Sequence, residues 1–272
     1  MMEPLDVYNN NTKLIQSIFS SRLKIQILLS VAEGPKHLSE LRDATGSTSQ
    51  AIIPKIRSLE GQSLIEPCDH GYRITSIGRV LATKIGDFVM TIGELMQHRD
   101  FWASHNIDGI PRPFLYQIGD LFDSEVKFDT TDTMFHVYSH FLTILQKAEY
   151  IHGISSVMSP GVADVLSDRI MAGVPVELVV SRKVVEGLMQ EPFLSKINQL
   201  TLYEKFKIWV VDEPLYLGIT VTDKHLSLGL NKAINDVYDS SSDMYSVDLK
   251  AREWAERLFQ YYRDRAVLLE LK

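Results

Sequence analysis

Short hydrogen-bonding side chains cluster at one place in this sequence, and two basic side chains follow them. Hydroxyl and amide groups bond well to the base edges and backbone of DNA, while lysine and arginine bond to phosphates. The pattern predicts DNA contacts by Ser47, Thr48, Ser49, Gln50, Lys55 and Arg57. The alternative is that the hydroxyls only cap a helix and that the bases only solvate a surface.

A second candidate DNA-contacting group lies beside a glycine turn, with His70 before Gly71 and with Tyr72 and Arg73 after it. Two strand-like runs flank this turn, so the segment predicts a β-hairpin. We expect its tip to reach the DNA backbone next to the first group.

Serine residues follow two predicted strands of the C-terminal half. Ser155, Ser156 and Ser159 follow the first strand, and Ser181 and Arg182 follow the second. Helix N-termini favour anions, and arginine binds carboxylate or phosphate through two hydrogen bonds. If the strands are parallel neighbours, both ends open at one sheet edge and predict a site for a small anionic effector. Plain helix capping and a solvated arginine are the alternative.

Catalytic and metal-binding patterns are missing from the sequence. It contains no P-loop and no Gly-x-Gly-x-x-Gly, His-Glu-x-x-His or Gly-x-Ser-x-Gly motif. None of the eight histidines has a lysine two positions later, so the His-x-Lys signature of phospholipase D-like enzymes is absent. His136 and His140 lie at helical spacing without an evident third ligand, which favours a solvated helix face. We therefore assign no catalytic residue, cofactor or metal.

The elements that must position the first group are short helices and a hairpin. Apolar residues at helical spacing predict three helices before residue 61, separated by Gly34-Pro35 and by Gly46. Pro54 lies inside the third helix and is expected to bend it. Helices joined by a glycine turn and followed by a hairpin predict a winged helix-turn-helix, whose last helix enters the major groove.

A long amphipathic helix is predicted from Ser76 to about Ser104. Its apolar residues Leu81, Ile85, Phe88, Ile92 and Leu95 follow a heptad rhythm. This stripe predicts a homodimer, because paired DNA-binding units need a fixed separation to read two half-sites. The alternative is that the stripe packs on its own domain.

The remaining chain alternates strands with helices and then continues with strands in series. A segment with one glycine and two prolines, 106–113, is interpreted as the linker into this part. Strand-like runs lie at 150–154, 175–180, 206–211, 215–221 and 226–230, with helices near 131–148, 160–173 and 248–265. This order predicts an α/β domain with a mixed sheet.

Charge is unevenly distributed along the chain. The 272 residues carry a formal net charge of −7, from 28 bases and 35 acids. Residues 1–80 hold nine bases and eight acids, a net of +1, which leaves −8 for the rest. This balance argues against a protein that coats nucleic acid, but it permits a local DNA-binding face. The single cysteine, Cys68, excludes an intrachain disulfide. Without an apolar stretch of ~20 residues or a signal-peptide core, we expect a cytoplasmic protein without membrane contact.

The residues that point to a known family lie mainly in the C-terminal half. Besides the winged helix, they are Val176–Val180, Leu217–Leu230, Tyr238-Asp239, Ala251–Trp254 and Leu258–Arg263. On these runs the chain resembles archaeal winged-helix regulators that carry a methanogenesis regulatory protein middle domain. Asn231–Asp236 departs from the family pattern, because it lacks the glycine of the family's turn. The resemblance implies a transcriptional regulator with an effector-sensing domain.

The predicted architecture is α+β and α/β, in three parts. Residues 1–80 form a winged helix-turn-helix, 81–105 a connecting dimerisation helix, and 106–272 a mixed-sheet α/β sensor domain. We expect a homodimeric, sequence-specific regulator of double-stranded DNA, modulated by a ligand or partner at the C-terminal domain. Two alternatives stay open: an enzyme with a phospholipase D-like fold, and a protein-interaction adaptor that carries a winged helix.

Overall fold

The computed structural model describes residues 3–157, 159–200 and 202–270. The chain divides into two compact units, unit 1 with residues 1–89 and unit 2 with residues 90–272. Apolar side chains build one core in unit 1 and a core on each side of the sheet in unit 2. The winged-helix and mixed-sheet fold class predicted from the sequence is confirmed.

Unit 1 is a helix-turn-helix followed by a two-stranded wing. Its elements are α1 (Pro4–Phe19), α2 (Arg22–Ala32), α3 (Leu38–Thr45), α4 (Ser49–Gly61), β1 (Ile65–Cys68), β2 (Gly71–Ile74) and the first part of α5 (Ser76–Gln97). Apolar residues at helical spacing, such as Ile27 and Val31 of α2 and Ile52 and Ile56 of α4, are fully buried between the helices. This core fixes the orientation of α4.

Two helices of the structure differ from the sequence prediction. The apolar pattern did not predict α1, because this helix buries one apolar residue, Ile18, and its other residues are exposed or half-buried. The helix predicted to end near Ser104 ends at Gln97, since His98 leaves helical geometry (φ −111°, ψ 33°) before α6 (Arg99–Ser104) begins. Among the described residues, no single helix is long and apolar enough to cross a bilayer, and only the pair α1 and α2, bent by 83°, passes that test jointly.

Unit 2 is built around one mixed sheet. Its further elements are β3 (His105–Asn106), α7 (Arg112–Leu115), a 3-10 turn (Ile118–Leu121), β4 (Glu125–Phe128), α8 (His136–Lys147), β5 (Ile151–Ser155), α9 (Pro160–Met171), β6 (Val176–Ser181), α10 (Arg182–Leu188), α11 (Phe193–Leu200), β7 (Phe206–Val211), β8 (Leu217–Thr222), β9 (Leu226–Lys232), β10 (Ser242–Ser246), α12 (Leu249–Arg263) and β11 (Val267–Leu268). The strand order is β11-β7-β6-β5-β8-β9-β10-β4, and β3 pairs with β9. β5, β6 and β7 are parallel, whereas β8, β9 and β10 are antiparallel. The first residue of the predicted linker, Asn106, belongs to β3, because it pairs with Asn231 of β9.

The two faces of this sheet carry different side chains. α12 covers one face, where Leu217 and Ile219 of β8 and Leu228 of β9 join its core. Because successive residues of a strand point to opposite faces, Thr220 and Ser227 lie on the other face. Helices α8 to α11 cover that second face at β5 to β7, where their apolar residues pack on the strands. Small and polar positions at β8 and β9 leave room there for the cavity described below.

Candidate nucleic-acid interface and ligand cavity

The helix-turn-helix presents one face of α4 to solvent. α3 ends at Gly46, whose φ of 62° is left-handed and favours glycine. Ile52, Ile56 and Leu59 bury the inner face of α4. The opposite face is exposed and consists of Gln50, Ile53, Pro54 and Arg57. This is the geometry that a recognition helix needs to enter a groove of DNA.

The first turn of α4 holds the short polar residues that the sequence singled out. Thr48 and Gln50 are exposed, while Ser47 and Ser49 are half-buried. Ser47 Oγ donates to the carbonyl of Thr45 at 3.3 Å. Thr48 occupies the N-cap position, yet in the described chain its side chain makes no capping hydrogen bond. The capping alternative therefore does not account for Thr48, and its hydroxyl is available to a ligand.

Two arginines that were predicted to bind DNA form ion pairs with neighbouring carboxylates. Arg57 pairs with Glu60 at 2.9 Å, and Arg73 pairs with Glu66 at 2.7 Å across the wing. The Arg73–Glu66 pair is exposed on both sides and contributes about 0–1 kcal/mol, so a DNA phosphate can replace Glu66 at low cost, whereas the Glu60 side chain is only 16% exposed. Lys55 is half-buried.

The wing is a tight hairpin with Asp69 and His70 as its turn. Gly71 has φ 102°, and a side chain there would overlap the carbonyl oxygen of Lys36. Lys36 and Tyr72 exchange two backbone hydrogen bonds, 2.9 and 3.0 Å, which anchor the wing. Tyr72 is half-buried against the core of unit 1, whereas His70 and Arg73 are exposed. Of the predicted wing contacts, Tyr72 thus has a packing role.

Arg42 and Ile53 are two exposed residues of the helix-turn-helix that the sequence reasoning missed. Arg42 lies on α3, is exposed, and has no ion pair among residues 3–157, 159–200 and 202–270. Ile53 is 41% exposed at the centre of the outer face of α4. The sequence could have predicted the exposure of Ile53 from the helical spacing of α4. Because positions 52, 56 and 59 point inward, Ile53 must point outward.

The apolar stripe of α5 is divided between two environments. Ile85 is buried in the core of unit 1, and Leu81 packs against that core. Phe88 and Ile92 are exposed, at 50% and 45%, and the ring of Phe88 meets Phe19 edge-on at 5.9 Å. Leu95 is half-buried. The stripe therefore packs on the core of unit 1 at Leu81 and Ile85, and it is exposed at Phe88 and Ile92.

The two serine-rich strand ends open into different cavities of unit 2. β5 and β6 are parallel neighbours, as the predicted site requires. Ser155 and Ser159 line a large cavity of about 790 Å³. Ser156, Ser181 and Arg182 line a smaller cavity of about 350 Å³. The structure therefore does not bring the five predicted effector residues into one site.

Four of these five side chains have hydrogen-bond partners, Ser155, Ser159, Ser181 and Arg182, whereas the buried Ser156 Oγ has none among the described residues. Ser159 Oγ and the Tyr138 hydroxyl lie 2.6 Å apart, and Ser181 Oγ accepts from Val184 N at 3.4 Å. Arg182 forms an ion pair with Asp212, with Nε to Oδ1 at 2.9 Å. An anion at Arg182 would have to displace Asp212.

The large cavity has an apolar wall and a polar end. Its apolar wall consists of residues from α8, α9, α10, β5 and β6: Phe141, Leu145, Ile151, Val162, Leu166, Leu178, Val180, Val184 and Leu188. The polar end consists of Asp129, Thr220, Ser227, Tyr238, Asp239, Ser240, Ser241, Ser242, Asp243 and Tyr245. Volumes of about 300–1,000 Å³ with a few converging polar groups are typical of small-molecule sites.

Tyr238 depends on two glycines for its position. Gly218 and Gly229 are cross-strand partners on β8 and β9, and a Cβ on either would collide with the Tyr238 hydroxyl. The turn before Tyr238 lacks the glycine of the family pattern, and Asp236 takes the left-handed conformation there with φ 56°. Tyr238 lines both cavities and forms part of the wall between them.

Carboxylates at the polar end differ in their surroundings. Burial raises the pKa of Asp243 to about 7, although Ser227 donates to its Oδ2 at 2.6 Å. Burial alone would raise the pKa of Asp239 also, but hydrogen bonds from Ser241 and Ser242 and the charge of Lys232 lower it to about 2. At neutral pH Asp239 is therefore a fixed charge, while Asp243 changes its protonation state there.

The two histidines considered for a metal lie at the start of α8. His136 is exposed, but His140 is half-buried against the ring of Tyr245 at 4.6 Å. The expected solvated face is therefore wrong for His140. In the described part of the chain no group of three His, Cys, Asp or Glu side chains is placed to hold a metal ion.

The structure defines a winged-helix protein with a cavity-bearing α/β unit. The family model described as the N-terminal domain of methanogenesis regulatory protein FilR1 matches residues 12–93, and the model of the FilR1 middle domain matches residues 134–265. The chain belongs to this FilR1 family. The resemblance seen in the sequence runs is thereby confirmed.

The chain is similar to FilR1 and, more weakly, to two solved structures. The chain is 25% identical over 257 residues to methanogenesis regulatory protein FilR1 of Methanothrix harundinacea (strain 6Ac), with 93% of this chain covered. It spans 57% of that relative's length. TrmBL2, described as an archaeal chromatin protein with a novel mode of DNA binding, shares 14% identity and a TM-score of 0.42 over 96% of this chain and 100% of its own. Nuc of Salmonella typhimurium, a phospholipase D family member, shares 13% identity and a TM-score of 0.40 over 54% of this chain and 97% of its own.

Proposed function

We propose that this protein is a sequence-specific, DNA-binding transcription regulator. The observation that carries the proposal is the exposed first turn of α4, where the Thr48 hydroxyl is not used for capping. Membership of a family of regulatory proteins supports it. A DNA target also implies a cytoplasmic location and a role in binding rather than in catalysis.

DNA contacts in this proposal divide into base-reading and phosphate-binding residues. Thr48 and Gln50 read base edges, and Ile53 contacts the methyl group of thymine. The free guanidinium of Arg42 and that of Arg57, which leaves Glu60, bind phosphates. His70 and Arg73 of the wing add backbone contacts. With so few basic residues, non-specific affinity is low and most selectivity lies in α4.

We propose a homodimer joined through the exposed half of the α5 stripe, Phe88 and Ile92. In this arrangement residues 1–80 read DNA, 81–105 connect and dimerise, and 106–272 sense an effector. Two-fold symmetry would present two α4 helices to half-sites at a fixed spacing. An effector in unit 2 changes DNA affinity if it binds one dimer geometry more tightly than the other.

The test measures binding of the full chain to a random-sequence DNA pool and to the sequences selected from it. The double variant Thr48→Ala/Gln50→Ala is expected to lose about 10- to 100-fold in affinity for the selected site and to keep its non-specific affinity. Gln190→Ala, an exposed glutamine of unit 2, is the matched control and should bind as wild type.

Selection of no sequence from the pool, or equal affinity of the double variant for the selected site, overturns the proposal. Capture of a protein by unit 1 in place of DNA would then favour the adaptor alternative.

A further inference from the structure

The large cavity of unit 2 contains carboxylates but no basic group on the walls that the structure describes. Asp129, Asp239 and Asp243 line it, while Lys, Arg and His are missing from its described walls. A buried anion without a cationic partner is strongly disfavoured. The walls therefore select against carboxylate and phosphate ligands and favour neutral or cationic ones.

Two of the three carboxylates, those of Asp129 and Asp239, already accept hydrogen bonds from the protein on both oxygens. Asp129 accepts hydrogen bonds from the backbone N–H groups of Phe135 and Val137, at 3.1 and 2.9 Å. Asp239 accepts from Ser241 at 2.6 Å and Ser242 at 3.0 Å. These two side chains hold the loops at the polar end in place, so they are not free for a ligand.

Asp239 has two cationic or titratable neighbours as well. His105 Nε2 lies 3.2 Å from its Oδ2, and Lys232 Nζ lies 3.3 Å from its Oδ1. The charge of Asp239 is thus neutralised within the protein.

Asp243 differs from both, because it retains an open acceptor. It is 5% exposed, Ser227 occupies its Oδ2, and its Oδ1 has no hydrogen-bond partner among the described residues. Lys127 stands opposite Asp243 on β4, but its Nζ pairs with Glu125 at 3.1 Å. A buried carboxylate oxygen without a donor is costly to the fold, and a ligand that donates to it removes that cost.

Resting on the proposed effector role of unit 2, we propose that the large cavity binds an apolar molecule carrying a protonated amino group. The ammonium group donates to Asp243, between the hydroxyl-bearing residues Tyr238 and Tyr245. The apolar body lies against Phe141, Leu166 and their neighbours on α8, α9 and α10. This ligand class differs from the anionic effector that the serine and arginine residues suggested.

The wild-type chain alone provides the first test, by calorimetric titration at pH 8 without DNA. Three probes of equal chain length are compared: n-octylamine, n-octanol and n-octanoate. Octylamine is expected to bind about tenfold or more tightly than octanol, because only the ammonium group pairs its positive charge with the ionised Asp243 carboxylate. Octanoate is expected not to bind. Equal or tighter binding of octanoate, or binding of none of the probes, overturns the proposal.

The variant Asp243→Asn then locates the amine. It should lose about tenfold in octylamine affinity and leave octanol affinity unchanged, whereas Glu213→Gln, an exposed acid outside the large cavity, should bind both probes as wild type. Unchanged octylamine binding by Asp243→Asn contradicts the assignment.

Both titrations are done without DNA, so their outcome does not depend on the outcome of the DNA-binding test. Loss of the amine site would leave DNA recognition by unit 1 standing. Failure of DNA binding would leave the titration result unaffected.

Discussion

The two faces of the sheet in unit 2 are built by the same strands but have opposite chemistry. Towards α12, Leu217, Leu226 and Leu228 are fully buried in a dry apolar core. Towards the large cavity, Thr220 and Asp243 are also buried, at 8% and 5% exposed, but they are polar. Burial of polar groups costs stability, so folding explains the first face, and the second face agrees with the ligand that we propose.

The largest contrast is expected from an apolar truncation on the α12 face. Leu228→Ala should lower the free energy of unfolding by about 2–5 kcal/mol, because it removes buried methyl groups and leaves a cavity. Urea unfolding of the full chain measures this loss. Leu202→Ala, at a leucine that is 85% exposed, should change the free energy of unfolding by about 0.5 kcal/mol or less. A cost below about 1 kcal/mol for Leu228→Ala would contradict the dry-core description.

The second prediction concerns how the free energy of unfolding depends on pH, because the cavity face of the sheet contains a carboxyl group with a raised pKa. Burial raises the pKa of Asp243 to about 7 from 3.8, so between these values the folded chain holds more protons than the unfolded chain. Stability contributed by Asp243 is therefore highest at low pH and falls as pH rises through about 7. The loss is of the order of 2–4 kcal/mol by pH 8.

Other groups titrate in the same range, so the measured quantity is the difference between wild type and Asp243→Asn. Burial also raises the pKa of Glu94 to about 7, but this contribution is common to both proteins. Burial raises the pKa of the neighbouring Tyr238 and Tyr245, and the pKa of Asp239 is lowered to about 2, so these three groups keep their charge state between pH 5 and 8. The advantage of the variant over wild type should grow across that interval. A difference independent of pH would show that Asp243 stays ionised throughout.

The spacing of apolar residues in the sequence predicted the apolar strands of the sheet but missed a polar strand. The strand Phe206–Val211 coincides with its prediction, because a continuous apolar run has few other structures open to it. β10 (Ser242–Ser246) was missed, since its sequence Ser-Asp-Met-Tyr-Ser looks like a polar loop although all five residues are buried. Its burial depends on the strands on either side, β9 and the much earlier β4, which no local sequence pattern places beside it.

The ligand cavity shows the same limit of sequence reasoning. Leu217–Leu230 alternates leucine, isoleucine or valine with glycine, threonine or serine along each strand, a pattern that predicts a buried face and a solvated face. The polar face is instead covered by Tyr238, which rests on Gly218 and Gly229. No local pattern encodes this cover, because the glycines and the tyrosine meet only when β8 and β9 pair.

Two neighbouring residues of β8 offer the finest test of the comparison. Thr220 faces the large cavity and Val221, 1% exposed, faces α12, so the near-isosteric exchanges Thr220→Val and Val221→Thr probe the two faces with the same pair of side chains. Val221→Thr should cost about 1–3 kcal/mol, because a hydroxyl enters an apolar core without a partner. Thr220→Val should change the free energy of unfolding by about 0.5 kcal/mol or less, since its hydroxyl makes no hydrogen bond among the described residues. Equal costs in urea unfolding would show that polarity on the cavity side stabilises the fold, and the reason to connect that face with a ligand would disappear.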